Sequence, residues 1–483
     1  MGIKNILVHS RLTHIIIILS IYVIVVAFAI AEKQPWFDEG AYAHPSYNLL
    51  NYGHLGMPVL FSQLRAWPSV DYYTFHMPPL SFVLQAGWFW LFDFGVFQMR
   101  SLSAVFGAIL ILSLYFLVLK ISNRHVLALL SIGIIGTDYN MITWCADGRM
   151  DIICAGLGFA SASLFICLRE KQFGWALIGS QTLVVASGLT HPTGILYLIG
   201  VLLLILIYDW RRIKLTKIIL MLVPFVIGGA GWGHYIAQDV GAFQNQFFGN
   251  YGGRETRFFS APLAELNRYL SPAFGIGDQV GRLGQLKIFQ LIAYWAAVIC
   301  FVCIPSLRLH ARITPVFILL ILFIIMTAVI LSSPHLSYLV HVIPLYAVVL
   351  AAVLSWGFNQ GLSGKIVTIT LLGFLIAVQA AGPFVKYFTQ NGYAHIYQPA
   401  VNIISEFYHP GDIIVGSSEF AFAFGYEGEV IDNHMLGVKG GLEGDIVILG
   451  GGYRKLYLDM EYSAPNDLGL INWEVCYNNN TKG

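Results

Sequence analysis

The stretch THIIIILSIYVIVVAFAIAEKQPWFDEGAYAH, from Thr13 to His44, decides the fold. Its first 19 residues, Thr13 to Ala31, are almost wholly apolar. At about 1.5 Å per residue such a helix crosses a bilayer. Directly after it come Asp38 and Glu39, inside Trp36-Phe37-Asp38-Glu39-Gly40-Ala41-Tyr42-Ala43-His44. Charged carboxylates at a water–lipid boundary are costly, so the pair is a candidate functional element. An ordinary solvated loop is the plain alternative.

Composition extends this reading to the whole chain. It is 57% hydrophobic and 11% charged, with mean hydropathy +0.70, whereas soluble domains carry about 25% charged residues. The net charge of +1 and the lack of a basic stretch with interleaved aromatics give no reason to expect nucleic acid as a partner. The six cysteines show no metal-type CxxC spacing, and Cys300 and Cys303 lie in an apolar run, where packing explains them. Only Cys476 falls in the polar tail, which argues against a disulfide-stapled domain. The first helix resembles a signal peptide, but further spans follow, so it is read as uncleaved.

Apolar runs of spanning length recur near residues 101–119, 125–141, 151–168, 173–190, 192–208, 216–236, 288–306, 313–331, 335–356 and 366–382. With the first helix they make about eleven spans. The shorter run from Pro78 to Phe92 either spans or lies in the interface. Basic residues decide between these. If it does not span, one face receives Lys4 and Arg11, Lys120 and Arg124, Arg169 and Lys171, Arg211 to Lys217, Arg308 and Arg312, and Lys365. Short basic loops of this kind are cytoplasmic. The N-terminus is therefore placed inside and the C-terminus outside.

The outer face then carries the loop 32–100, the turn Trp144-Cys145-Ala146-Asp147-Gly148-Arg149-Met150-Asp151, the His191-Pro192 turn, the 237–287 loop, the Ser332–His335 turn and the tail. The spans read as residues 1–382, with ionisable residues nearly absent from their centres. Residues 383–483 read as a small extracytoplasmic α/β domain. In it, Tyr393 to Phe407 forms an amphipathic helix. Short strands follow at Asp412–Gly416, Glu429–Ile431, Asp445–Leu449 and Asn472–Cys476, separated by glycine-rich turns. The fold class is mainly α, polytopic, with juxtamembrane helices.

Candidate chemistry gathers on that outer face. Asp38, Glu39, Asp147 and Asp151 come from two unlinked loops, and a carboxylate there can take a proton from a hydroxyl or amine. Arg149, Arg254, Arg257 and Arg268 can hold a phosphate through forked hydrogen bonds, or else lie solvated among lipid headgroups. His76, His191 and His335 fall in outer turns, and His76 is the strongest of them as a substrate-binding candidate. A divalent metal on Asp38, Glu39 or Asp151 is conceivable, although no three-ligand spacing enforces one. There is no Walker A loop, and a nucleotide is scarce outside the cell. Any transferred group must arrive on a membrane-soluble carrier.

Four pieces in order resemble the integral-membrane GT-C glycosyltransferases of the protein O-mannosyltransferase type and the related lipid A aminoarabinose transferases. They are Trp36-Phe37-Asp38-Glu39, His76-Met77-Pro78-Pro79-Leu80, Arg100-Ser101-Leu102-Ser103-Ala104-Val105-Phe106-Gly107 and Gly148-Arg149-Met150-Asp151. The resemblance implies a polyprenyl-phosphate sugar donor, an extracytoplasmic protein, lipid or glycan acceptor, and inversion at the anomeric carbon. It also implies a bacterial plasma-membrane setting, Asp38 as general base, and Asp151 as the second outer-loop acid. The leaving phosphate is already a stable anion, so no general acid is needed, unlike glycoside hydrolysis. A flippase of lipid-linked saccharides is the alternative from another class. A polymerase or ligase of lipid-linked glycans differs mainly in donor size.

Overall fold

The computed structural model describes residues 3–60, 67–252, 287–330, 336–433 and 444–448. The chain is mainly helical. The first ten helices are α1 (Ile3–Glu32), α2 (Phe37–Tyr52), α3 (Leu80–Phe92), α4 (Val96–Ser122), α5 (His125–Gly136), α6 (Tyr139–Cys145), α7 (Met150–Leu168), α8 (Phe173–Thr190), α9 (Ile195–Asp209) and α10 (Leu215–Ile236). Longer helices follow at Lys287–Cys303, Thr314–Ile330, Ile343–Gly357 and Gly361–Gln390. Among the described residues seven helices are long and apolar enough to cross a membrane, or up to nine if each of two bent pairs counts as one span. α3 has 13 residues, about 20 Å of helix, which is short of a bilayer.

Two of the runs that read as straight spans are broken. The 125–141 run stops at Gly136, bends by 63° and restarts as α6. The cause is Asp138, which caps α6 by accepting from the Met141 amide at 3.0 Å. Asp138 is fully buried, and the Tyr294 hydroxyl (2.9 Å) and the Gln290 amide also donate to it. Span interiors are thus less free of ionisable groups than composition suggests. The 335–356 run likewise divides into a six-residue 3-10 turn, Leu336–His341, and the helix Ile343–Gly357, with Pro344 in its first turn.

The membrane core is built around α7, which packs between α4 and α8. Glycines on two sides of α7 permit that approach. A Cβ on Gly156 would lie 2.7 Å from the Phe106 carbonyl oxygen, and one on Gly158 would overlap the Tyr197 ring of α9.

The Gly361–Gln390 helix runs through residue 383 without a break. Beyond it, the helix Gln398–Phe407 precedes strands β1 (Ile414–Val415), β2 (Val430–Ile431) and β3 (Ile446–Val447). They form a parallel sheet of order β2-β1-β3, with Ile414 opposite both Val430 and Ile446. A bridge from Leu60 to Asp432 ties the sheet to the segment between α2 and α3. The fourth strand expected, Asn472–Cys476, lies outside the described residues.

Gly158→Ala should destabilise the membrane core by about 1–3 kcal/mol, the usual cost of overpacking. The expected signature is a lower unfolding temperature in detergent. Gly188→Ala, where a Cβ meets nothing within 4 Å, should leave that temperature unchanged or raise it.

Candidate active site

α1 ends at Glu32, the chain turns through Lys33–Trp36, and α2 begins at Phe37 with Asp38 and Glu39 in its first turn. Acidic side chains are favoured there by the positive end of the helix dipole. Neighbouring residues on a helix point about 100° apart, and the two carboxylates meet different partners.

Asp38 pairs with a terminal nitrogen of Arg149. The Arg149 Nε donates to Asp151 Oδ2 at 2.8 Å. Arg149 stands at the N-cap of α7 in extended conformation, and Asp151 lies in the first turn of that helix. One guanidinium therefore joins carboxylates from two unlinked loops. The Trp36 and Tyr42 rings flank it at 5.7 and 5.8 Å. Of the three side chains Asp38 is the most accessible, at 15% against 7% for Arg149 and 2% for Asp151.

Glu39 is fully buried and faces Arg100, which is equally buried. Arg100 grips it with two donors, Nε to Oε1 and Nη2 to Oε2, both at 2.6 Å. The Gly148 amide adds a third bond at 2.9 Å. Arg100 also donates to the carbonyls of Ile30, Lys33 and Gln34. Burial raises the Glu39 carboxyl, but the Arg100 guanidinium, helped by Lys33 and the Gly148 amide, more than offsets it and holds the group below its ordinary range.

A second ion pair lies alongside. Lys33 Nζ meets Asp147 Oδ2 at 2.5 Å, and Trp36 Nε1 donates to Asp147 Oδ1 at 3.1 Å. Burial pushes the Asp147 carboxyl up to about 6, against the pull of Lys33. These residues, with Gln34, Pro35, Thr143 and Trp144, line a cleft of about 380 Å³. Trp36 forms the wall between this cleft and Arg149.

His76 sits one ring further on. It stacks on Tyr42 at 5.9 Å and meets Trp67 edge-on at 4.4 Å. Burial depresses it to about 3, so at neutral pH it is an uncharged hydrogen-bonding group. The three loop arginines, Arg254, Arg257 and Arg268, lie outside the described residues. Among the described residues no three His, Cys, Asp or Glu side chains gather as metal ligands. Between Asp38 and Asp151 the cation present is the Arg149 guanidinium.

The small sheet domain clasps the same helix. The Ser418 hydroxyl donates to the Phe37 carbonyl at 2.8 Å, and the Tyr426 hydroxyl to the Gly40 carbonyl at 3.0 Å. A Cβ on Gly40 would overlap the Ser418 carbonyl, so glycine is required for this approach. Ser418 is held in turn by its amide bond to Asp432 Oδ2 at 2.9 Å.

The structure thus brings Asp38, Arg149, Asp151 and His76 around Trp36 and Tyr42, and places Glu39 in a separate buried pair. Lys33, which holds this geometry together with Arg100, carries no motif signal, and Arg100 reads in the sequence only as the first residue of the piece that opens a span. The clue available for Arg100 is a cation at the head of an apolar span that enters from an acidic outer loop.

In fold the chain is similar to ArnT, and in part of its sequence to a mannosyltransferase family model. Residues 76–228 match the family model described as dolichyl-phosphate-mannose-protein mannosyltransferase. That segment contains His76, Arg100, Asp147, Arg149 and Asp151, while Asp38 and Glu39 precede it. The crystal structure of ArnT from Cupriavidus metallidurans bound to undecaprenyl phosphate superposes with TM-score 0.60 at 15% identity, covering 92% of this chain and 87% of that one. The apo state of the same ArnT gives TM-score 0.54 at 14% identity, over 86% and 84% of the two chains. Among curated protein sequences there is no significant match.

Arg100→Met should cost about 3–5 kcal/mol, since it leaves the Glu39 charge buried and unpaired. The double variant Arg100→Met/Glu39→Leu should recover much of that loss, as read by thermal unfolding in detergent. Asp147 gives a pH test. Its folded value, about 6, exceeds the ordinary 3.8, so its stabilising proton uptake is complete below about pH 4 and lost as pH rises through 6. Asp147→Asn should flatten the stability profile across that window.

Proposed function

We propose that this protein transfers a sugar from a polyprenyl-phosphate donor to an extracytoplasmic acceptor, with inversion at the anomeric carbon. The observation that carries this reading is the Asp38–Arg149–Asp151 cluster at the outer end of α7, with Asp38 its most accessible member. The donor class is carried over from the ArnT likeness, whose relative was captured with undecaprenyl phosphate.

In this reading the acceptor hydroxyl oxygen attacks the anomeric carbon from the side opposite the phosphate. The carbon–oxygen bond to phosphate breaks and its electron pair leaves on the phosphate. The hydroxyl proton passes to the Asp38 carboxylate. Arg149 aims that carboxylate and ties it to Asp151, so the base is oriented before the acceptor arrives. His76, uncharged, offers a hydrogen bond rather than a charge to the substrates. Arg254, Arg257 and Arg268 are proposed to hold the departing phosphate, the task that forked guanidinium donors suit.

The membrane placement follows the same logic. α3, too short to span, supports leaving residues 78–92 in the interface. That keeps the basic turns on one face, with the N-terminus cytoplasmic, residues 1–382 as an eleven-span region and the tail outside. A bacterial plasma membrane fits this arrangement. In this reading Arg149 supplies the cation between the two carboxylates. The sugar transferred is a hexose or pentose.

Asp38→Asn should keep the fold and lower transfer by about two to four orders of magnitude, the usual share of a general base. The measurement is release of undecaprenyl phosphate from undecaprenyl-phosphate-linked sugar in proteoliposomes, beside a thermal unfolding control. Near-normal release by a folded Asp38→Asn protein would remove Asp38 as the base.

A further inference from the structure

α7 starts beside the carboxylate site and is capped at its other end by Arg169, 19 helical residues or about 28 Å away. There the turn after α7 meets the turn after α9, at the membrane face opposite the reaction site. The buried Asp209 carboxylate accepts from Arg169 Nε at 2.6 Å and from Arg212 Nη1 at 2.8 Å. Arg212 also donates to the Arg169 carbonyl at 2.8 Å. The two guanidiniums lie over rings as well, Arg169 on Tyr208 at 4.5 Å and Arg212 on Phe173 at 4.0 Å. Both arginines are thus committed within the protein, and together they lock the two turns side by side.

What the locked turns present is positive. Lys171, Arg211 and Lys214 are exposed. The Lys217 ammonium reaches across to the start of α8, 3.8 Å from where a Cβ on Gly174 would lie. The exposed acid of these turns, Glu170, sits 3.2 Å from Arg169. Trp175 and Trp210 stand beside the cations with more than half of their surface exposed, and Arg211 lies 5.2 Å over the Trp210 ring. Exposed tryptophans at the ends of spans sit at headgroup level.

We propose that the two turns form a binding site for the phosphodiester headgroup of an anionic glycerophospholipid in the leaflet opposite the reaction site. Basic residues next to spans attract anionic lipid in general. The Asp209 clamp adds something more specific. It fixes cations from two separate loops at one spacing, so a headgroup gathers them without first ordering the backbone. This inference needs only that the helices span a membrane, and stands apart from the transfer reaction.

The test uses the full-length protein in nanodiscs of phosphatidylcholine with a minor fraction of phosphatidylglycerol or cardiolipin. Lipid retained on release is then counted by native mass spectrometry. Anionic lipid should be retained preferentially, and Arg211→Gln/Lys214→Gln should lower that retention at least several-fold. Arg312→Gln/Lys365→Gln, which removes the same charge elsewhere on that face, should retain it. Excess inorganic phosphate should not displace the lipid; if it does, the site binds free phosphate and the lipid proposal is overturned. Unchanged retention in the first variant, or equal loss in both, reduces the patch to bulk charge and also overturns it. If the double variant does not fold, Lys171→Gln alone should give a partial loss, and no loss there counts equally against the proposal.

Discussion

The candidate site of this protein depends on one buried ion pair. Arg100, at the head of α4, closes both forks of its guanidinium on Glu39 and spends its remaining donors on the carbonyls where α1 ends. Glu39 in turn takes the Gly148 amide of the α6–α7 turn. Four chain segments therefore converge on one fully buried, charge-neutral unit. Such a pair adds little net stability compared with apolar packing, but losing one partner is severe. Its main effect is geometric, because it fixes where α2 begins relative to α7.

That placement gives the neighbouring carboxylates their character. Asp38, one residue before Glu39, is turned to Arg149 rather than to Arg100, and it keeps the greatest accessibility in its cluster. Asp151 is anchored by the same guanidinium from below. Asp147, three residues before the helix, is pulled to Lys33 and Trp36 and is shifted toward protonation by burial. Four acids from two distant motifs thus divide among three cations, Arg149, Arg100 and Lys33. Asp38 is the most accessible of them.

Much of this was legible in the sequence, and the reasons are physical. Long apolar runs have few alternatives to spanning a membrane, so the helical class and most helix positions follow from hydropathy. The Trp-Phe-Asp-Glu and Gly-Arg-Met-Asp stretches announce themselves because charges next to such runs are costly. Which carboxylate met which cation was hidden, since pairing depends on the direction of side chains around a helix turn. The break at Asp138 was hidden because one acid does little to the average hydropathy of a run. It becomes visible only when Gln290 and Tyr294, more than 150 residues away, arrive as its partners. In the tail, nothing local in Ser418 or Tyr426 indicates that they rest on α2.

The grip of the tail on α2 also has a bearing on biogenesis. The Ser418 bond to Phe37 closes a loop of 381 residues. Contacts so distant along the chain form late, after local helices and neighbouring spans are in place. During synthesis Gly40 stays uncovered until the segment that carries Ser418 has been made. The helix carrying Asp38 thus receives its final support only when translation has passed residue 426. A nascent or truncated chain would hold its helices while the start of α2 still lacked this cover.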